Sequence, residues 1–182
     1  MTHKKGQIWV ETVLYTLIGL ALIGITLAII SPKISQTKDK LVVEQSINSL
    51  NVIDEKINEV LGRGPGNVRI ISDFTIKRGE FYINSTGDSI VYVIKDLNKP
   101  YSEPGIPINI GRIKVLSEEG KKSSTVYLTL YYIDTANITY HGEKDVKKFS
   151  AASTPYKFLI ENVGDVNNTG LFIINIDEVS GR

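Results

Sequence analysis

Few residues in this 182-residue chain carry the chemistry of an active site. It has two histidines, His3 and His141, and no cysteine. Disulfides, thiolate metal sites and cysteine-linked lipid anchors are therefore excluded. His141 sits in the loop-like stretch Thr139-Tyr140-His141-Gly142, where a solvated loop histidine is the plain reading and catalysis is not expected. Glu118 and Glu119 lie beside Gly120 and read as a solvated hairpin turn. Asp165-Val-Asn-Asn-Thr-Gly170 has oxygen donors at alternate positions and a glycine at the sixth, as the start of a calcium loop requires. Its twelfth position is Ile176 rather than a glutamate, and strands are expected on both sides, so a polar hairpin loop is preferred. No phosphate-cradling glycine motif precedes a helix. The chain does not read as an enzyme, and no catalytic residue, metal site or cofactor is expected.

Two kinds of covalent chemistry remain. Three acceptor sequons for N-glycosylation, at Asn84, Asn137 and Asn167, all fall in predicted turns or loops. The other candidate is the N-terminus, Lys4-Lys5-Gly6-Gln7-Ile8-Trp9-Val10-Glu11. A basic leader ends in glycine, an apolar run follows, and one carboxylate is stranded inside it. In an ordinary secretory signal the apolar segment precedes the cleavage site and is discarded. Here a cut after Gly6 would keep it. Glu11, one turn inside an apolar helix, is costly unless it is paired, protonated or near the headgroups. At its shallow depth it can reach the interface. Alternatively, it needs a cationic partner in an assembled state, such as a free α-amino group, because a buried unpaired charge is penalised.

The elements that would position these groups follow from hydropathy. Thr12–Pro32 carries no charged residue, and about 20 such residues in a helix cross a hydrocarbon layer of about 30 Å. Lysines flank the run on both sides, so the large C-terminal part decides for an outside head. From Lys33 to Leu61 apolar residues recur at helical spacing: Ile34, Leu41, Ile47, Leu50, Ile53, Ile57 and Leu61. Pro32 is expected to kink or interrupt the combined helix. Gly62 to Gly66, with Pro65, is a stop signal. Beyond it, about seven short strands separated by turn clusters are expected. They include a tight hairpin over residues 72–84 and strands at 90–95, 112–116, 126–133, 156–161 and 171–176. The expected fold class is α+β: a long transmembrane or stalk helix followed by an antiparallel β-sandwich-like head. The boundaries are a leader over 1–6, a helix over 7–61 with a membrane or filament core over 8–31, a linker over 62–66 and a head over 67–182. Net charge is +1, so no basic field points to nucleic acid.

Lys4-Lys5-Gly6, then Gln7, Glu11 and the apolar run to Ile30, resemble the class III signal peptide of archaeal type IV pilin-like proteins. The resemblance covers about 25 residues and implies cleavage between Gly6 and Gln7 by a prepilin-type signal peptidase. It also implies packing of the retained helices in a filament core, with Glu11 paired to the terminal amine of a neighbour, here that of Gln7. Trp9 departs from many relatives, which carry a small or polar residue there. The implied protein is a major or minor pilin, placed in the cell membrane with its head outside or in a surface filament, with adhesion as a further implied role. Its partners are the membrane, the peptidase and copies of itself or other pilin-like subunits. The rival expectation is a monomeric, signal-anchored protein whose β head binds something outside the cell.

Overall fold

The structure is a computed structural model that describes residues 3–166 and 170–179, with side chains described from residue 9 onward. One helix, α1 (His3–Arg63), is followed by ten strands. These are β1 (Val68–Phe74), β2 (Glu80–Asn84), β3 (Ser89–Leu97), β4 (Ile108–Ile110), β5 (Ile113–Glu119), β6 (Ser124–Tyr131), β7 (Ala136–Tyr140), β8 (Val146–Ser150), β9 (Tyr156–Gly164) and β10 (Phe172–Glu178). Contacts divide the chain into Met1–Lys38 and Asp39–Arg182. The first unit is helix alone. The second holds the C-terminal part of α1 and all the strands. The expected α+β class, with a long N-terminal apolar helix and a head of antiparallel sheets, is what the chain forms.

Of the kink or interruption expected at Pro32, the interruption does not occur: the helix continues through it. A proline inside a helix costs about 3 kcal/mol through a lost hydrogen bond and a clash. Helix formation is cooperative, and long stretches on both sides leave no new nucleus to be formed. The helix also begins at His3 rather than after Gly6. Gly6 weakens a helix by only about 1 kcal/mol, too little to stop it.

The C-terminal part of α1 contributes Val43, Ile47, Leu50, Ile53, Ile57 and Val60 to one core cluster shared with the strands. The apolar stripe was legible, but its edges lie elsewhere: Ile34 and Leu41 are exposed, while Val43 and Val60 are buried. The helix ends as its residues dictate. Gly64 adopts a left-handed φ of 86°, and Asn67 Nδ2 donates to the carbonyls of Arg63 and Gly64 at 3.0 and 2.9 Å, satisfying groups that a helix terminus leaves unpaired.

The strands form a four-stranded sheet, β1-β9-β10-β7, and a six-stranded sheet, β4-β5-β6-β3-β2-β8. All pairs are antiparallel except β10 with β7, which is parallel. Alternate side chains of both sheets point into the core: Ile90, Tyr92 and Ile94 on β3, Val126, Leu128 and Leu130 on β6, and Phe158 and Ile160 on β9. Phe74, Phe81, Phe149 and Phe158 gather in tilted and edge-to-face contacts.

The expected hairpin over residues 72–84 does not form. β1 pairs with β9, whereas β2 pairs with β3 and β8, so residues 75–79 cross from one sheet to the other. Phe74 and Ile76 are both buried along this crossing. Gly79 completes it with a φ of 100°, which only glycine adopts without strain.

Candidate functional site

The chemistry proposed for the N-terminus lies in the first unit. Lys4, Lys5, Gly6 and Gln7 are all within α1, so the Gly6–Gln7 bond is in the first helical turns. No acidic residue occupies the first turn. Lysines there oppose the positive end of the helix dipole, and Gly6 adds its own penalty.

Further along, the helix presents its apolar residues outward. Trp9 is 76% exposed, and Leu14, Leu17, Leu20, Leu22, Ile23, Ile25, Leu27 and Ile29 are all exposed. This stretch is long and apolar enough to cross a membrane. Two of its hydroxyls are satisfied within the helix: those of Thr16 and Thr26 each donate to the carbonyl four residues back, Thr12 O and Leu22 O, at 2.8 Å. That removes the penalty of placing a hydroxyl in hydrocarbon. Side chains added at Gly19 or Gly24 would meet nothing within 4 Å, so both mark open places on the helix surface. Glu11 is an exposed carboxylate on this otherwise apolar segment.

In the second unit, residues that the sequence did not flag tie α1 to the sheets. Asp39 is buried on the apolar stripe. It accepts from Arg78 Nη1 at 2.6 Å and from the backbone and side-chain nitrogens of Asn98 at 2.8 and 2.6 Å. Burial opposes its ionisation, but the hydrogen bonds from Asn98 and Arg78 prevail and hold its carboxyl below the usual range. One turn from the middle of the core, Asp54 accepts from Arg112 at 2.8 Å and from the buried Tyr132 hydroxyl at 2.8 Å. Glu59 pairs with Lys56 and Arg69, which lower its pKa to about 2. Each of three helix acids thus meets an arginine of the head. The legible signal was Asp39 itself, an acid in line with Val43, Ile47 and Leu50 on a face that should be apolar.

On the outer face of the six-stranded sheet, Glu80 bridges Lys148 and Lys95 and accepts from the Tyr82 hydroxyl, which together lower its pKa to about 2. The folded carboxyls of Asp39, Glu59 and Glu80 therefore titrate below their unfolded counterparts. The stabilisation from Glu59 and Glu80 is complete above about pH 4.5 and is lost as pH falls toward 2, and that from Asp39 is lost as pH falls below the usual carboxylate range. Urea unfolding of the detergent-solubilised full chain should show a flat midpoint from pH 7 to 5 and a fall below about pH 4.5. Glu80→Gln should flatten part of that fall, and an acid limb identical to the parent's would refute the role given to Glu80.

The sequence candidates in the head are placed as follows. His141 follows β7, exposed, with Nδ1 3.0 Å from Asp177 Oδ1 and its ring against Tyr140, so it links β7 to β10. Glu118 and Glu119 are the last residues of β5 rather than part of the turn, paired opposite Thr125 and Ser124. In the Asp165–Gly170 loop, Gly170 N donates to Asp165 Oδ2 at 2.8 Å; Asn167 lies outside the described residues. Among the described residues no three metal-ligating side chains of His, Cys, Asp or Glu gather. Asn84 ends β2 at the turn into β3. Asn137 does not lie in a loop: it belongs to β7, whose Ala136, Ile138 and Tyr140 alternate into the core, and pairs opposite Ile173 of β10.

This geometry defines an α+β protein with an exposed apolar helix and a β head stapled to the helix's C-terminal part. Compared with family models, with curated proteins and with solved structures, the chain matches none.

Proposed function

We propose that the chain is a structural subunit of a type IV pilus-like surface filament, released from its leader at Gly6–Gln7 and assembled through its apolar helix. The observation that carries this reading is Glu11 on an exposed apolar helix, four residues beyond the bond whose cleavage would create an amine. A lone carboxylate at that place can reach the headgroups in a single helix, but between packed helices it is penalised unless something cationic meets it. The N-terminal amine of Gln7 in a neighbouring copy supplies that charge, and Gly19 and Gly24 let helices approach closely. The head then faces outside, where its surface serves assembly and adhesion rather than catalysis.

The test is to sequence the N-terminus of the protein from membranes and from sheared extracellular material, beside a Glu11→Ala variant. The expected N-terminus is Gln7 in both fractions. Glu11→Ala should remain in the membrane at parental levels while the sheared fraction is lost. Retention of Met1–Gly6, with no sheared material at all, would instead identify a monomeric signal-anchored protein whose head is a binding module. Normal filaments from Glu11→Ala would remove the role given to that carboxylate.

A further inference from the structure

The sequons at Asn84 and Asn137 are equivalent as motifs and opposite as sites. Transfer of an N-glycan needs the asparagine amide nitrogen open to an incoming donor. It also needs the hydroxyl two residues on to be free to turn back beside it.

At Asn137 the second condition fails, although its side chain borders an open cavity of about 550 Å³. The backbone from Asn137 to Thr139 is paired in parallel with β10, opposite Ile173, Ile174 and Asn175. Ile138 is fully buried, and its N–H donates to Asp88 Oδ1 at 2.8 Å. Thr139 is 5% exposed, and its hydroxyl is committed to Asn175 Oδ1 at 3.1 Å. Presenting this sequon would require stripping β7 from its sheet and unseating Ile138 from the core.

Asn84 is the last residue of β2, paired opposite Ser89 and Val146, and Ser85 is fully buried, but the chain turns here and the hydroxyl of the sequon is on the exposed side. Asn84 Oδ1 accepts from the Thr86 hydroxyl at 2.7 Å and from Gly87 N at 3.1 Å, so the hydroxyl and the acceptor amide are side by side. Thr86 is exposed. Ser85 N donates to Asp145 O at 2.9 Å, which fixes the base of the turn. Asn84 Nδ2 has no partner among the described residues. Gly87 keeps the space beside that nitrogen open: a Cβ added there would lie 3.2 Å from Nδ2.

We infer that, of these two sequons, Asn84 is an N-glycan acceptor in the folded head and Asn137 is not. The donor is a lipid-phosphate-linked oligosaccharide. Nδ2 forms a bond to the anomeric carbon, and the bond from that carbon to the lipid phosphate oxygen breaks. The phosphate leaves with the electron pair, and the amide proton passes to a base of the transferase. The inference rests on the outward placement of the head proposed above, because such transfer occurs on the far side of the membrane.

The experiment incubates purified full-length protein, folded in detergent or unfolded in urea and diluted immediately before use, with a single-subunit oligosaccharyltransferase and its lipid-linked donor. Peptide mass spectrometry then reads each site. The expected result is transfer to Asn84 but not Asn137 in the folded protein, and to both after unfolding. Gly87→Ala should lose transfer at Asn84 in the folded protein and regain it in the unfolded one, which separates crowding of Nδ2 from damage to the motif. Modification of Asn137 in the folded protein, or a bare Asn84, overturns the assignment, as does an Asn137 that stays bare even when unfolded. Protein taken from its own membranes completes the test: an Asn84 modified in vitro but bare there leaves the site assignment standing and refutes the outward placement of the head.

Discussion

Leu50→Ala is expected to lower the stability of the head by about 2–5 kcal/mol, the range for removing a buried leucine side chain whose cavity cannot collapse. Leu50 is fully buried on α1, within the cluster that joins the helix to both sheets. Its neighbours along the stripe, Ile47 and Ile53, are fixed by one helix, while Asp39, Asp54 and Glu59 hold that helix to the head through Arg78, Arg112 and Arg69. The helix therefore cannot slide inward to fill the gap. Leu41→Ala removes the same atoms from the same helix, but Leu41 is half exposed at 49%. It should cost less than about 0.5 kcal/mol, as surface substitutions do. Urea unfolding of the two variants in detergent, followed by tyrosine fluorescence of the head, compares them directly. Equal losses would mean that the C-terminal part of α1 does not belong to the head's core.

Gly79→Ala should be about as damaging, for a different reason. Its φ of 100° lies where a side chain is strained, and the added Cβ would fall 2.4 Å from Val93 O. That oxygen is backbone in β3, held opposite Glu80 and Tyr127 by strand pairing on both sides, so it cannot retreat. Strained backbone and overpacking together amount to roughly 2–5 kcal/mol. Gly62→Ala is the matched control: the position is helical with open space around it, and the change should gain about 0.5–1 kcal/mol from reduced chain freedom in the unfolded state. Thermal melts that rank Gly79→Ala with the parent would show that residues 75–79 can take another path between the sheets.

Local pattern made much of this fold legible. Alternation located β3, β5, β6, β9 and β10 to within a few residues, and helical spacing located the buried face of α1. Where sequence reading went wrong, non-local pairing decided. Phe74 to Asn84 has every local mark of a hairpin, yet its two halves belong to different sheets, because β1 finds β9 some ninety residues later in the chain. β8 buries only Phe149 and carries two lysines, so its period gave no strand signal. β4 has only three residues. β7 did show alternation at Ala136, Ile138 and Tyr140, but the polar residues between them disguised it as loop. At the N-terminus the sequence named Gly6, Gln7 and Glu11 by their order alone. Asp39 stood out as an acid on an apolar face, but its partner could not be named, nor could Asp54 and Glu59 be recognised as anchors, because their arginines are distant in the chain and become neighbours only through the fold.

The order of the strands also sets when the head can exist during synthesis. The four-stranded sheet takes β1 from just after the helix and β9 and β10 from the end of the chain. Asn162 of β9, fully buried, donates to Val60 O near the end of α1. Until those last strands have emerged, the stripe of Val43, Leu50 and Ile57 has no complete partner surface. Long-range pairing of this kind folds late. A ribosome that stops before β9 would leave the C-terminal part of α1 with its inner face bare, a ready target for chaperones and proteases. β9 and β10 thus act as a built-in inspection step: only a chain that has made both strands can cover the inner face of its own helix.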